Sequence, residues 1–385
     1  MKIKIVSDMI TPYMGGSEVY VQNLSRELIK LGFDVEWIGM RLSPYLKKEE
    51  VNEDGIKIRR IDMPFNERRL FCLNTQLFPA LKDADVLQFN SFVSAMTGGY
   101  IAKILKKPSI GLVHEFFRKE LWKKFTSNKI EQIVYPMMEN LIAKNPYTAW
   151  IVPCDYTRRT LMNMGIDGDK IKKIPHGIDH KKFHPVYGSY REKYHLWDRF
   201  VIGHVGRLGF TGTCYSKNLK TLFVAFKKVK DKIPNAVLLI AGTGFENVEW
   251  YIKEMGLDIG KDVIYVGKIP NDELVSFYNS MDVFATASLS EGFSFVTVES
   301  EACGTPVVCF RGAGALDETA KVGKLVSPQT PSALAKGIIE MHKFPNMKNQ
   351  MSRNAIEWTK QYDWKKTAKE YKKIYEDLYV WDCLQ

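Results

Sequence analysis

No apolar stretch in this sequence approaches the roughly 20 residues that a membrane-spanning helix requires, which excludes a spanning segment. The opening MKIKIVSDMI has a short apolar run but no long hydrophobic region and no small-residue cleavage site. It reads as a first strand rather than a secretory signal. Cysteine is sparse and scattered (Cys72, Cys154, Cys214, Cys303, Cys309, Cys383), and no two form a CxxC pair. Neither a zinc site nor a disulfide framework is expected, as suits a reducing cytosol. Internal repeats and low-complexity segments are absent. The run nearest to a GxGxxG fingerprint, Gly312-Ala313-Gly314 after PVVCF, carries Asp317 in place of the third glycine, which weakens a dinucleotide-cofactor reading.

What is present is a globular composition, 45% hydrophobic and 26% charged, in a chain of 385 residues that is long enough for two domains. The net charge of +11 turns attention to anionic partners. Nucleic acid, an acidic membrane surface and phosphorylated small molecules all satisfy it, and charge alone does not choose. No pattern of a known nucleic-acid module occurs, so nucleic acid is not expected.

The hydrophobic pattern predicts two β/α series. In the first, IKIVSD, FDVEWIGM, DVLQFN, PSIGLVHE and TAWIVPCD are strands, and EVYVQNLSRELIKLG is a helix stopped by Gly32. The pattern restarts near residue 200 with RFVIGHVGRL, the amphipathic NLKTLFVAFKKVKDKI and the near-continuously apolar AVLLIAGTG, followed by DVIYVGKI, DELVSFYNSM, VFATAS, FVTVESEACG and PVVCF. Alternation of this kind implies parallel sheets with right-handed crossovers. The expected class is α/β, with two Rossmann-like doubly wound domains facing a cleft. The first spans residues 1–188 and the second residues 189–364; the amphipathic segment 365–385 is expected to pack back on the first.

The chemistry-bearing stretch is SLSEGFSFVTVESEACGTPVV. Glu291 stands in a Ser/Gly loop, and Glu299 is expected in the first turn of a helix. Between them the backbone N–H groups of Gly292, Phe293, Ser294 and Phe295 would favour a phosphate. Read alone, the pair is also compatible with a surface glutamate and a helix-start glutamate. Arg207 follows the strand VIGHVG, and Lys217 precedes Asn218 at a helix start; two cations at a strand end can neutralise a diphosphate, or be ordinary loop cations. His114 and Glu115 close the strand SIGLVHE, where His114 could orient hydroxyls, assist proton movement, or simply cap the strand. Gly15 and Gly16 form a tight turn before a helix, either to admit a ligand or for structure alone. His176, Gly177, Ile178 and Asp179, in IPHGID, read as an inter-domain turn.

Taken in order, GGSE after the first strand, a strand ending in His-acid, IPHGID, GRL…KN and the Glu-x7-Glu segment resemble the retaining glycosyltransferases of family 4, of GT-B fold. The resemblance runs across most of the chain. It implies that Glu291 holds donor-sugar hydroxyls and Glu299 the nucleotide ribose. Arg207 and Lys217 then meet the diphosphate, His114 lies beside donor sugar and acceptor, and Gly15 and Gly16 approach phosphate and acceptor. The backbone of Lys268 and Ile269 lies near the base. The chain departs from the family in Glu115, where aspartate is usual, and in the long connection GFTGTCYS, a candidate flap over the phosphates.

The implied reaction is retaining transfer from a UDP- or GDP-sugar to a hydroxyl, on a glycan or a lipid-linked acceptor. No cofactor and no obligatory metal are expected: the family lacks a DxD motif in its donor site, and the C-terminal half here has none. The rivals are a sugar-nucleotide epimerase or sugar-phosphate synthase on the same fold and a catalytically silent nucleotide-sugar-binding subunit. In residues 116–138, Phe116, Phe117, Trp122 and Phe125 alternate with Arg118, Lys119, Lys123 and Lys124. They read equally as an anionic-membrane contact and as core aromatics with a solvated basic face. A cytoplasmic protein, peripheral on the membrane's inner face in the first case, is the expectation.

Overall fold

The computed structural model describes residues 1–13, 15–62, 74–90 and 92–383, without the side chains of residues 212, 213 and 381–383. Cys72 lies outside the described residues. The chain divides into two compact units: Met1–Lys119 with Ile130–Gly177 and Tyr362–Gln385, and Glu120–Lys129 with Ile178–Gln361.

The strands of the first unit are β1 (Lys2–Val6), β2 (Asp34–Met40), β3 (Glu49–Val51), β4 (Lys57–Ile61), β5 (Val86–Asn90), β6 (Ser109–Leu112), β7 (Ala149–Val152) and β8 (Ile171–Lys173). They form one sheet in the order β3-β4-β2-β1-β5-β6-β7-β8. All pairings are parallel except β3 with β4, an antiparallel edge. Chain order leaves β1 first toward β2 and then resumes on its other side with β5, so the sheet reverses direction there. That reversal is where open α/β sheets leave a crevice at their strand C-termini.

Strand β5 is buried at every position, as the run VLQFN requires when helices cover both faces. The helix Gly16–Lys30 buries Tyr20, Val21, Leu24 and Leu28 at helical spacing. The C-terminal helix Trp364–Cys383 packs beside it. Tyr20 donates its hydroxyl hydrogen to the Tyr371 hydroxyl, and Tyr375 donates to Gln88 Oε1 at 2.5 Å.

The second unit contributes β9 (Phe200–Val205), β10 (Ala236–Ala241), β11 (Val263–Tyr265), β12 (Val283–Ala285), β13 (Val307–Phe310) and β14 (Lys324–Val326). Their order, β11-β10-β9-β12-β13-β14, is all parallel and reverses between β9 and β12. AVLLIA in β10 is buried throughout, next to β9. Two Rossmann-like α/β units make this a GT-B architecture.

Of the aromatic residues of 116–138, Phe117 and Tyr135 are half-buried and the rest face inward. Phe116, Trp122 and Phe125 are buried, and the Phe125 ring meets Tyr215 at 5.9 Å. These three rings lie in the core, as the second reading of the segment has them. No described helix is long and apolar enough to cross a membrane.

Candidate functional site

In the second unit the residues of interest leave the C-terminal ends of β9 and β12, adjacent parallel strands at the reversal of the sheet. Gly206 and Arg207 follow β9. Arg207 is exposed and makes no ion pair or hydrogen bond among the described residues, so its charge faces solvent. After β12 the chain runs through Ser288 to Glu291, which is buried. Lys217 Nζ donates to Glu291 Oε1 at 2.7 Å, and Ser288 Oγ donates to the same oxygen at 2.6 Å. Glu291 Oε2 has no hydrogen-bond partner among the described residues.

Lys217 arrives there because the GFTGTCYS connection closes as a short 3-10 turn, Gly212–Lys217. Asn218, in the left-handed conformation at φ 51°, then starts the helix Leu219–Lys230. The Leu289 N–H donates to the Ser216 carbonyl at 2.8 Å, which ties this connection to the Glu291 loop. Phe210 at its other end meets Trp250 and Tyr251 edge-on, at 6.0 and 5.3 Å.

Gly314 lies against the Glu291 backbone. A Cβ there would come within 2.5 Å of the Glu291 carbonyl oxygen, and its φ is 68°. Asp317, which displaces the dinucleotide fingerprint, accepts the Gly312 N–H instead.

The helix that follows starts at Phe295 and ends at Ala302. Gly292, Phe293 and Ser294 are buried just before it. Ser294 takes φ 67° and provides no side-chain cap, and its buried hydroxyl finds no partner among the described residues. The first turn's N–H groups are left without the side-chain oxygen that ordinarily satisfies one of them. Such an end is a ready anion site.

Glu299 is not in that first turn, as the sequence suggested, but is the helix's fifth residue. The reason is the left-handed Ser294, which starts the helix earlier than the run of residue types indicates. Tyr278 donates to Glu299 Oε2 at 2.8 Å. Burial raises the Glu299 carboxyl above its usual range, while Tyr278 and the Lys182 charge hold it down.

Lys268 and Ile269 follow β11, exposed and buried respectively; the neighbouring Gly267 carbonyl accepts the Gly242 N–H at 2.9 Å.

One member of this cluster escaped the sequence reading. His204, inside β9, is fully buried, and its Nδ1–H donates to the Ala285 carbonyl at 3.0 Å. Its ring stacks on Phe284 at 5.9 Å. Burial lowers its pKa to about 4, with Lys217 lowering and Glu291 raising it in turn. The only signal was a histidine interrupting an apolar strand.

In the first unit, Gly15 and Gly16 are exposed after β1, and Gly15 caps the helix Gly16–Lys30. No side-chain oxygen caps the first turn here either, but a carboxylate already occupies this end: Glu18 Oε2 accepts the Gly15 N–H at 2.8 Å, and Ser17 donates to Oε1 at 2.7 Å. Of the two helix starts singled out in the sequence, the one at Phe295 is therefore better placed for a phosphate.

His114 lies two residues beyond the end of β6. Its Nδ1 shares a hydrogen bond of 3.1 Å with His176 Nε2, and the Tyr20 ring packs edge-on against it at 5.1 Å. Burial lowers the His114 pKa to about 4 and that of His176 well below the usual range, so both rings are neutral at neutral pH. The IPHGID histidine is thus more than a turn residue: it orients His114. Gly177 after it brings the chain against Trp364, where a Cβ would lie 2.3 Å from the backbone nitrogen.

Two family models match this chain: Glycosyltransferase Family 4 over residues 14–182, and Glycosyl transferases group 1 over residues 190–358. The D-inositol 3-phosphate glycosyltransferase of Corynebacterium jeikeium is 26% identical, across 94% of this chain and 92% of its own length. The mannosylfructose-phosphate synthase of Agrobacterium fabrum is 24% identical over 76% of this chain and 70% of its own. Among solved structures, sucrose-phosphate synthase from Thermosynechococcus elongatus superposes with a TM-score of 0.83 at 23% identity, covering 98% of this chain and 99% of its own. The Anabaena protein HepE in complex with UDP-glucose does so at 0.79 and 17%, covering 98% and 100%.

Proposed function

Because the chain belongs to the family 4 glycosyltransferases of group 1, we propose that it moves a sugar from a nucleoside-diphosphate donor to an acceptor hydroxyl, with the anomeric configuration retained. The observation that carries the donor part is the cluster at the ends of β9 and β12. There a buried, lysine-paired carboxylate, a solvent-facing arginine and an uncapped helix start share one strand reversal.

In this reading Lys217 and Glu291 satisfy each other until the donor arrives. The diphosphate then takes Lys217, Arg207 and the N–H groups at Phe295, and Glu291 is released toward the sugar hydroxyls. Negative charge growing on the departing diphosphate is met by groups already in place. Those cations and N–H groups supply the positive charge a metal would otherwise bring, so transfer is expected to persist in EDTA. Glu299, held by Tyr278, takes the ribose diol, and the backbone at Lys268 and Ile269 lies along the base. His114, neutral and oriented by His176, accepts or donates at an acceptor or sugar hydroxyl.

The Anabaena neighbour's UDP-glucose puts UDP-sugars first among donors to try, with GDP-sugars next. The acceptor hydroxyl is one of a glycan or a lipid-linked carrier.

The test is a thermal-shift panel of UDP-, GDP- and ADP-sugars, since a ligand of the folded state raises apparent stability by mass action. One donor class should raise the melting temperature, and Glu291→Gln should cut turnover about 100-fold or more while nucleotide affinity stays within about twofold. A flat panel, or full turnover in that variant, refutes the assignment.

A further inference from the structure

The helix Lys129–Ala143 carries two apolar faces. One is buried, through Pro136, Met138 and Ile142. The other is exposed. At about 100° per residue, Ile130, Ile133, Val134, Met137 and Leu141 fall in a single stripe along the helix. Their exposure runs from 39% at Val134 to 70% at Ile130. A helix apolar on both sides is ordinarily enclosed on both sides, and a contiguous exposed stripe marks a contact surface.

The charges around the stripe are mostly positive. Lys129 stands at its start and Lys144 lies in line at its far end, both exposed. Arg118 lies alongside, donating to Asn140 Oδ1 at 3.0 Å and standing 4.0 Å from Glu139 Oε2, with exposed Lys119 next to it. The helix's acids lie elsewhere: Glu131 is at the margin, and Glu139 is buried on the opposite side, accepting the N–H groups of Phe117 and Arg118 at 2.9 Å each.

We infer that this face is a docking surface for an anionic lipid bilayer. The aliphatic stripe enters the interfacial region, and Arg118, Lys119, Lys129 and Lys144 meet lipid phosphates. A second copy of the chain fits less well, because a two-fold pairing of the stripe would set these cations against themselves. The inference does not rest on the sugar-transfer reading.

The test is co-sedimentation of the full chain with vesicles of mixed phosphatidylglycerol and phosphatidylcholine, against vesicles of phosphatidylcholine alone. Binding is expected to the first, and to weaken as salt shortens electrostatic reach to about 3 Å at 1 M. Ile133→Asp with Met137→Asp should lower binding about tenfold or more, with circular dichroism and melting temperature unchanged. Lys129→Glu with Lys144→Glu tests the charge separately and should also release the protein. Three results would overturn the inference: no binding to anionic vesicles, equal binding to both vesicle types, or binding that both double variants retain. A wild-type dimer that the Ile133/Met137 variant dissolves would reassign the face to self-association.

Discussion

Each carboxylate of the proposed donor site is held by one oxygen. Lys217 and Ser288 both donate to Oε1 of Glu291, and Tyr278 donates to Oε2 of Glu299. The remaining oxygen in each case is the one a sugar or ribose hydroxyl would meet. Tyr278 is thereby a positioning residue. Tyr278→Phe keeps the ring packed against Phe183 and Phe284 but removes the hydrogen bond. A hydrogen bond to a charged group is worth about 1.5–3 kcal/mol, so KM for the donor should rise about tenfold while kcat moves less than about twofold. Initial-rate kinetics on Tyr278→Phe check this, and an unchanged donor KM would detach Glu299 from the donor. Arg207, Lys217 and Glu291 could be read from the sequence because they sit in motifs. Tyr278 and His204 could not: each looks like core, and each reaches its partner across a fold that the sequence alone does not bring together. The His114–His176 contact, 62 positions apart, was hidden for the same reason.

Among whole elements, the apolar runs announced most strands and long helices, because burial on both faces of a parallel sheet leaves a continuous signature. The edge pair β3 and β4 carried no such signature, being rich in Glu, Lys and Arg. The helix starting at Phe295 was misplaced because a left-handed serine has no sequence mark. The C-terminal helix was legible as amphipathic, yet its meaning lies in its tyrosines. Tyr375 donates to the fully buried Gln88, whose own amide donates to Asn90 at 2.8 Å. Tyr375→Phe would leave the Gln88 oxygen without that donor inside the core, a loss of about 1–3 kcal/mol. The expected readout is a lower urea midpoint at unchanged slope. Nucleotide affinity should not move, since nothing in the second unit is touched.

Across the whole molecule, buried ionisable groups pull stability in opposite directions with pH. His204 has a folded pKa of about 4 against an ordinary 6.5. Below pH 6.5 the unfolded chain takes up a proton that the folded chain refuses, so its stabilising share is lost as pH falls toward 4. Glu301 behaves in reverse. It is fully buried, both its oxygens lack partners among the described residues, and burial alone pushes its carboxyl well above the usual range. Above about pH 4.5 the unfolded chain releases a proton that the folded chain keeps, so stability is lost as pH rises toward the folded pKa. Two substitutions separate the effects. Glu301→Gln should gain on the wild type by about 1.4 kcal/mol per pH unit above 4.5, until the folded carboxyl ionises. His204→Gln, whose amide can still donate to the Ala285 carbonyl, should gain only below pH 6.5, by about 3 kcal/mol at pH 4. Urea denaturation of both variants and the wild type from pH 4 to 8 gives two difference curves of opposite slope. Parallel curves would mean that neither group is held in the uncharged form its burial requires.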